Sequence, residues 1–227
     1  MEKILILGNG GHAKSVIDVL EKEDKYEIAG IVVNTRQENK FESRYPVIGC
    51  DDELAALYES GIKKAAMGIG FLGKGNLRKS LWMKLKKIGF SFPIICDPSA
   101  ILANDISIGE GCFIGKRAVI NTGAVIEKMG IINTGAIIEH ECHVGEFSHI
   151  SVGSILCGNV QVDEAVFVGA NATVIQGISI GKQSIVGAGV TVKKDIGENG
   201  MIKSENLKRK NNIGGGYKLI PAGGAAA

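Results

Sequence analysis

From Leu102 onward an aliphatic residue returns at every sixth position: Ile108, Ile114, Ile120, Ile126, Ile132, Ile138, Val144, Ile150, Leu156, Val162, Val168, Val174, Ile180, Val186 and Val192, sixteen in register without an insertion. Four residues after most of them sits a small side chain (Cys112, Ala118, Ala124, Gly130, Ala136, Cys142, Ser148, Ser154, Ala172, Ser184), with Val or Ile at the others. A helix repeats at 3.6 and a strand at 2, so a period of six requires short strands broken by a turn in every hexad. Three hexads close one triangular coil, and the first slot stacks on its counterpart one coil later. Roughly 90 residues then make about five coils around an aliphatic column. No hexad is long enough to bury its own face; stacking does it.

The first hundred residues carry a different pattern. Lys3 to Leu7 is an apolar strand, Gly8-Asn9-Gly10-Gly11-His12-Ala13 a glycine-rich turn, and Lys14 to Lys22 a helix with Val16, Ile17 and Leu20 on one side. A second strand spans Ile28 to Val33, an acidic helix start follows at Asp51-Asp52-Glu53, and a third strand runs from Ala65 to Ile69. A helix with Leu77, Leu81, Leu85 and Ile88 on its buried stripe comes next, its Arg78, Lys79, Lys84, Lys86 and Lys87 forming a solvated basic face. Phe92 to Cys96 closes the set. Strands alternating with helices predict a small parallel sheet with crossover helices. The expected organisation is a Rossmann-like α/β domain over residues 1–96, a parallel β-helix of hexapeptide repeats over 97–200, and a flexible tail over 201–227.

Composition narrows the partners. Twenty-six Lys and Arg against 24 Asp and Glu leave a formal charge of +2, too balanced for the phosphate-neutralising surface of a nucleic-acid binder. No apolar run is long enough to cross a membrane or to serve as a signal segment, so a soluble, cytoplasmic protein is expected. Five scattered cysteines without CxxC spacing argue against disulfides and a zinc ribbon.

Two places concentrate chemistry. A strand, a glycine-rich loop and a helix N-terminus form an anion site, because free N–H groups and the helix dipole face a phosphate. The spelling Gly8-x-Gly10-x-x-Ala13 imitates a dinucleotide fingerprint, but Val33-Asn34 stands where that fingerprint needs an acidic residue. A sugar nucleotide fits better than NAD; the plain alternative is a turn that only packs helix on sheet. The second place is the run from Glu139 to His149, which holds His140, His143 and His149, three of the four histidines. A histidine beside a carboxylate is the minimum for a general base, with Glu139, Glu141 and Glu146 all near in sequence. Metal binding is the competing use. Zinc-bearing solenoids resembling gamma-class carbonic anhydrase pair ligands about five residues apart. Here the separations are three, six and nine, and His143 and His149 diverge on successive faces, so no metal is expected.

Gly8-x-Gly10-Gly11-His12-Ala13-Lys14, Pro98-Ser99-Ala100 and Asn133-Thr134-Gly135-Ala136-Ile137-Ile138-Glu139-His140-Glu141-Cys142 together resemble the sugar O-acyltransferases of the sialic-acid type and the bacterial UDP-4-amino-sugar N-acetyltransferases of glycan biosynthesis. The resemblance covers about residues 3 to 200. It implies a left-handed β-helix, a homotrimer with acetyl-CoA lying between adjacent solenoids, and a nucleotide sugar held by the first domain. It also implies residue roles. His140 would be the general base and Glu141 the group raising its basicity. His149, Ala170 and Ala188 would contact the coenzyme, while Gly10, Gly11, His12, Asn34 and Gly70 would hold the nucleotide sugar. The expected reaction is direct N-acetylation of a UDP-linked 4-amino-4,6-dideoxy sugar; O-acetylation of a sialic-acid-like sugar, or a non-catalytic sugar-nucleotide module, are the alternatives. Two motifs depart from the family pattern: Val33-Asn34, and Gly200 to Lys208 in place of a Gly-x-Pro-Ala-Lys segment.

Overall fold

The computed structural model describes residues 1–34 and 44–203. Its first unit is a four-stranded parallel sheet in the order β3-β2-β1-β4, with β1 Glu2–Leu7, β2 Tyr26–Val33, β3 Val47–Cys50 and β4 Lys64–Met67. Strand β3 was not anticipated, because its four residues carry too short an apolar run to stand out. Both faces of the sheet are covered, so β1 reads as a continuous buried run, Ile4 to Leu7. Helix α1 (Gly11–Glu23) packs Ala13, Val16, Ile17 and Leu20 on one face; α2 (Leu54–Glu59) and α3 (Leu77–Ile88) cover the other.

The second unit is the solenoid. Its two-residue strands form three parallel sheets of seven, six and five strands, here faces one, two and three. Partners lie one coil apart, as in Ile131 with His149 on face one, Ile137 with Ile155 on face two and Val125 with His143 on face three. From Ile114 to Val192 every aliphatic hexad position is buried, and Cys112, Ala118, Ala124, Ala136, Cys142 and Ser148 fill the second inward slot. Only Leu102 and Ile108, in the first coil, lack a coil beneath them and remain partly open. The regular spacing ends after Val192, where the next core residue, Ile196, comes four residues later and bridges to Ile180.

Three assignments need correcting. Ile95–Cys96 pairs with Phe113–Ile114, so it opens face one of the solenoid and does not close the N-terminal sheet. Met201–Ile202, expected in the tail, is the last strand of face one, paired with Ile185–Val186; the rest of the expected tail, from 204, lies outside the described residues. On α3, Leu77 is exposed and Arg78 is buried. The helix lies on the corner between faces three and one, which brings Arg78 Nη2 to donate to Met129 O at 2.7 Å. There Lys79 pairs with Glu164 and Lys86 with Glu110, so this basic flank is a docking surface.

The two units share two apolar clusters, one on each side of the first sheet. Ile95, Phe113 and Ile131 point outward from face one into the α1 cluster, while Met129 and Phe147, at the corner, join the α3 cluster. Among the described residues no helix is long and apolar enough to cross a membrane.

Because each rung is supported only by its neighbours, Ile138→Ala should leave an unfilled gap in the column and cost about 2 to 5 kcal/mol in urea unfolding. A loss below about 1 kcal/mol would mean the column is loosely packed.

Candidate active site

A cleft of about 660 Å³ opens where the C-terminal ends of β1 and β4 meet the corner between faces one and two. Its floor is the turn after β1. Gly10 caps α1 without a side-chain hydrogen bond, and the first turn holds no acidic residue. The N–H groups there have no carbonyl behind them and remain free for an anion. Side chains added at Gly10 or Gly11 would meet nothing within 4 Å, so the bare backbone faces open space. His12 stands beside them, edge-on to Phe113 at 4.9 Å, and its buried Nε2 has no hydrogen-bond partner among the described residues. Gly70 borders the cleft from the loop after β4.

The solenoid supplies the opposite wall: Asn133, Thr134, His149 and Val152. His149 is buried on face one, its Nδ1 2.6 Å from Phe71 O and its Nε2 3.1 Å from Asn133 Nδ2. Thus the cleft gathers Gly10, Gly11, His12, Gly70 and His149, drawn from both units. Asn34 is exposed at the end of β2 and does not border it.

His140 and Glu141 lie elsewhere. They occupy the corner between faces two and three, a full face away from Thr134. His140 Nδ1 is 3.3 Å from Glu141 Oε2. A carboxylate can only accept, so Nδ1 carries the proton and Nε2 keeps its lone pair. Glu141 has a φ of 59°, a left-handed conformation that costs a side-chain-bearing residue about 1 kcal/mol and places its carboxylate beside the ring. Nε2 lies over Gly158, where a Cβ would come within 2.4 Å of it. Glycine one coil above is therefore what lets the ring lie there. His143 sits on face three, paired with Glu127 at 3.1 Å. No metal-binding group of His, Cys, Asp or Glu occurs among the described residues.

Ala170 and Ala188 stack one coil apart above Thr134 and Val152, in the corner column that enters the cleft. The N–H of Gly189 donates to Ala170 O at 2.8 Å, which fixes their spacing. This column presents only methyl groups in its upper half.

Residues 3–85 match the family model described as the PglD N-terminal domain, and residues 105–145 and 159–194 match the hexapeptide repeat of succinyl-transferase. PerB from Caulobacter crescentus, solved with CoA and GDP-perosamine, shares 34% identity over 90% of this chain and 95% of that one, with a TM-score of 0.83. The chain belongs to the sugar N-acetyltransferases of the left-handed β-helix family. The acetyltransferase domain of PglB from Neisseria gonorrhoeae, solved with acetyl coenzyme A, is 26% identical over 89% of this chain and 96% of that one, at a TM-score of 0.80. WeeI from Acinetobacter baumannii shares the fold at 19% identity, 91% and 98% coverage and a TM-score of 0.76. The solenoid of this sugar acetyltransferase is thus a left-handed β-helix, and acetyl-CoA is its cosubstrate.

Two residues were not marked by the sequence. Asn133, in the cleft wall, lay within the family motif but carried no charge, and Arg78, buried behind the cleft on the carbonyls of Met129 and Phe147, looked like one more surface cation. Burial holds the Arg78 guanidinium down to about 10.

Burial, with Arg78 nearby, also pushes His12 down to about 3 and His149 down to about 4. Both rings are neutral in the folded protein, whereas the same histidines in the unfolded chain take up protons below about pH 6.5. Stability is therefore full above that pH and is lost as pH falls toward 4. The melting temperature should decline between pH 6.5 and 4.5; a flat profile there would contradict the burial of both rings. Gly158→Ala should displace the His140 ring and lower turnover about tenfold or more without lowering the melting temperature. Unchanged turnover would show that the ring position is not critical.

Proposed function

We propose that the enzyme transfers the acetyl group of acetyl-CoA directly to the amino group of a nucleotide-linked 4-amino-4,6-dideoxy sugar, with His140 as general base. The carrying observation is the cleft itself: bare helix N–H groups and an unpartnered His12 Nε2 on one wall, the coenzyme column on the other. A diphosphate would lie on Gly10 and Gly11, with His12 and Gly70 toward the sugar and Asn34 outside. Ala170 and Ala188 give the pantetheine arm a side-chain-free track, and His149 stands near its inner end.

The amine lone pair attacks the thioester carbonyl carbon while His140 Nε2 accepts the amine proton. Collapse of the tetrahedral intermediate breaks the C–S bond, and the proton passes to the departing thiolate. Glu141 stabilises the imidazolium formed in between. A solenoid backbone N–H would steady the oxyanion. Direct transfer needs no covalent enzyme intermediate; Cys142 is buried in the column, where burial pushes its thiol up to about 11.

One face separates His140 from the cleft of its own chain, about 20 Å of strand and turn. Face two, which lies between them, turns Ile101, Val119, Ile137 and Ile155 outward. These observations support a homotrimer in which one copy brings His140 to the cleft of the next, with that apolar strip in the contact.

UDP is the nucleotide expected from the sequence resemblance, whereas the similarity to PerB, solved with GDP-perosamine, favours GDP. The same comparison favours N- over O-acetylation. Solved PerB relatives include variants in which one histidine is replaced, which supports a histidine in the reaction.

Thiol release from acetyl-CoA should require a UDP- or GDP-linked 4-amino sugar and fail with sialic acid. His140→Ala should lower kcat about a hundredfold or more while the trimer persists in sedimentation. Full activity in that variant would remove the base assignment; a monomeric wild type would remove the shared site.

A further inference from the structure

A hydrogen-bond chain crosses the cleft wall, and its direction is set by an obligate donor at one end and an obligate acceptor at the other. The Thr134 backbone N–H lies 2.8 Å from Asn133 Oδ1, and a backbone N–H can only donate, so the amide orientation is fixed. Asn133 Nδ2 then points its hydrogen at His149 Nε2, 3.1 Å away. On the other side of the ring Phe71 O can only accept, so His149 Nδ1 carries the proton, at 2.6 Å. A proton on Nε2 would face the amide hydrogen, donor against donor. Only the neutral Nδ1–H ring satisfies every contact. The groups that approach this ring from other elements are His12 of α1 and Arg78 of α3, both opposed to a further positive charge, and Phe167 on face one, edge-on at 5.3 Å.

Phe71 belongs to the glycine-rich loop between β4 and α3. That loop forms the cleft wall on one side and borders a second cavity, of about 320 Å³, on the other. Gly73, at a φ of 82°, lies so close to face one that a Cβ would come within 2.6 Å of Ile185 Cγ1. The loop is therefore laid directly on the solenoid, and the His149 bond ties it there between two hollows.

We infer that Asn133 is a positioning residue: it locks the tautomer of His149, and His149 in turn holds the Phe71 loop as the wall against which the nucleotide sugar binds. His149 is then a strut, and its one basic lone pair is already engaged. The inference rests on the acetyl-transfer reading only for its kinetic arm.

Three measurements test it. In ¹⁵N-histidine NMR of the full chain, the His149 signals, assigned by their loss in His149→Gln, should show the Nδ1–H neutral ring from pH 5.5 to 8. Asn133→Asp, nearly isosteric, replaces the donor with an acceptor and should raise the pH at which His149 becomes doubly protonated. An Nε2–H ring in the wild type, ordinary titration near pH 6.5, or no change in Asn133→Asp would overturn the tautomer lock. In Asn133→Ala, amide exchange over residues 70–75 should quicken about tenfold or more, and the KM for the nucleotide sugar should rise about tenfold, more than kcat falls. Unchanged exchange, or a fall in kcat at constant KM, would sink the positioning role. Absence of acetyl transfer by the wild type would instead remove the proposed function; NMR and exchange would still decide the strut.

Discussion

Each coil of the solenoid contributes one aliphatic side chain per face to a shared column, and backbone hydrogen bonds from coil to coil set the distance between rungs. Apolar burial supplies the driving force and the ladder supplies the register. Once Ile132, Ile138 and Val144 point inward, the residues between them must lie at corners, and those corners recur in straight columns. Much of the solenoid's chemistry is placed by that rule. His140 and Glu141 stand on one corner, Thr134, Val152, Ala170 and Ala188 on the second, and the docking sites for α3 on the third.

Corners also explain where conformational cost is accepted. Glycine or asparagine makes many of the turns here, yet Met129, Phe147 and Glu141 adopt φ values of 60°, 58° and 59°. The first two are the side chains that α3 covers, with Trp82 edge-on to Phe147 at 5.8 Å, and their carbonyls receive the buried Arg78. The third carries the carboxylate beside His140. Left-handed backbone at a bulky residue persists here because contacts on both sides over-determine it. The first domain is thus anchored through the same corners that interrupt the strands, and the cleft walls are held in common by the two units.

Much of this was legible in the sequence for a physical reason. A period of six has no helical or ordinary strand counterpart, so the column could be read position by position from Ile114 to Val192. The glycine-rich turn after β1 was equally plain, because apolar strand, glycines and amphipathic helix follow in close succession. What stayed hidden depends on contacts distant in sequence. Arg78 resembles its neighbours Lys79 and Lys86 until α3 is laid on the corner beside Met129. Asn133 gains its meaning only from His149, one coil above, and from Phe71, which lies in another unit. Phe92 to Cys96 looked like the fourth and last strand of the first sheet, because a short apolar run says nothing about which ladder it joins; its Ile95–Cys96 pair joins the solenoid. His140 was recognisable from its neighbour Glu141, but its separation from the cleft by a whole face is a property of the prism and not of the local motif.

The shortened last coil has a further effect. A prism cut square would expose three unpaired strands at one level, a flat template on which another such prism could grow. With two residues fewer between Val192 and Ile196, face three ends at Ser179–Ile180 and a single bridge, while face one continues to Met201–Ile202. Among the described residues the rim is a step, with no level set of backbone groups for a second prism to join. Irregularity at one end is how a fold made of repetition arranges to be finite.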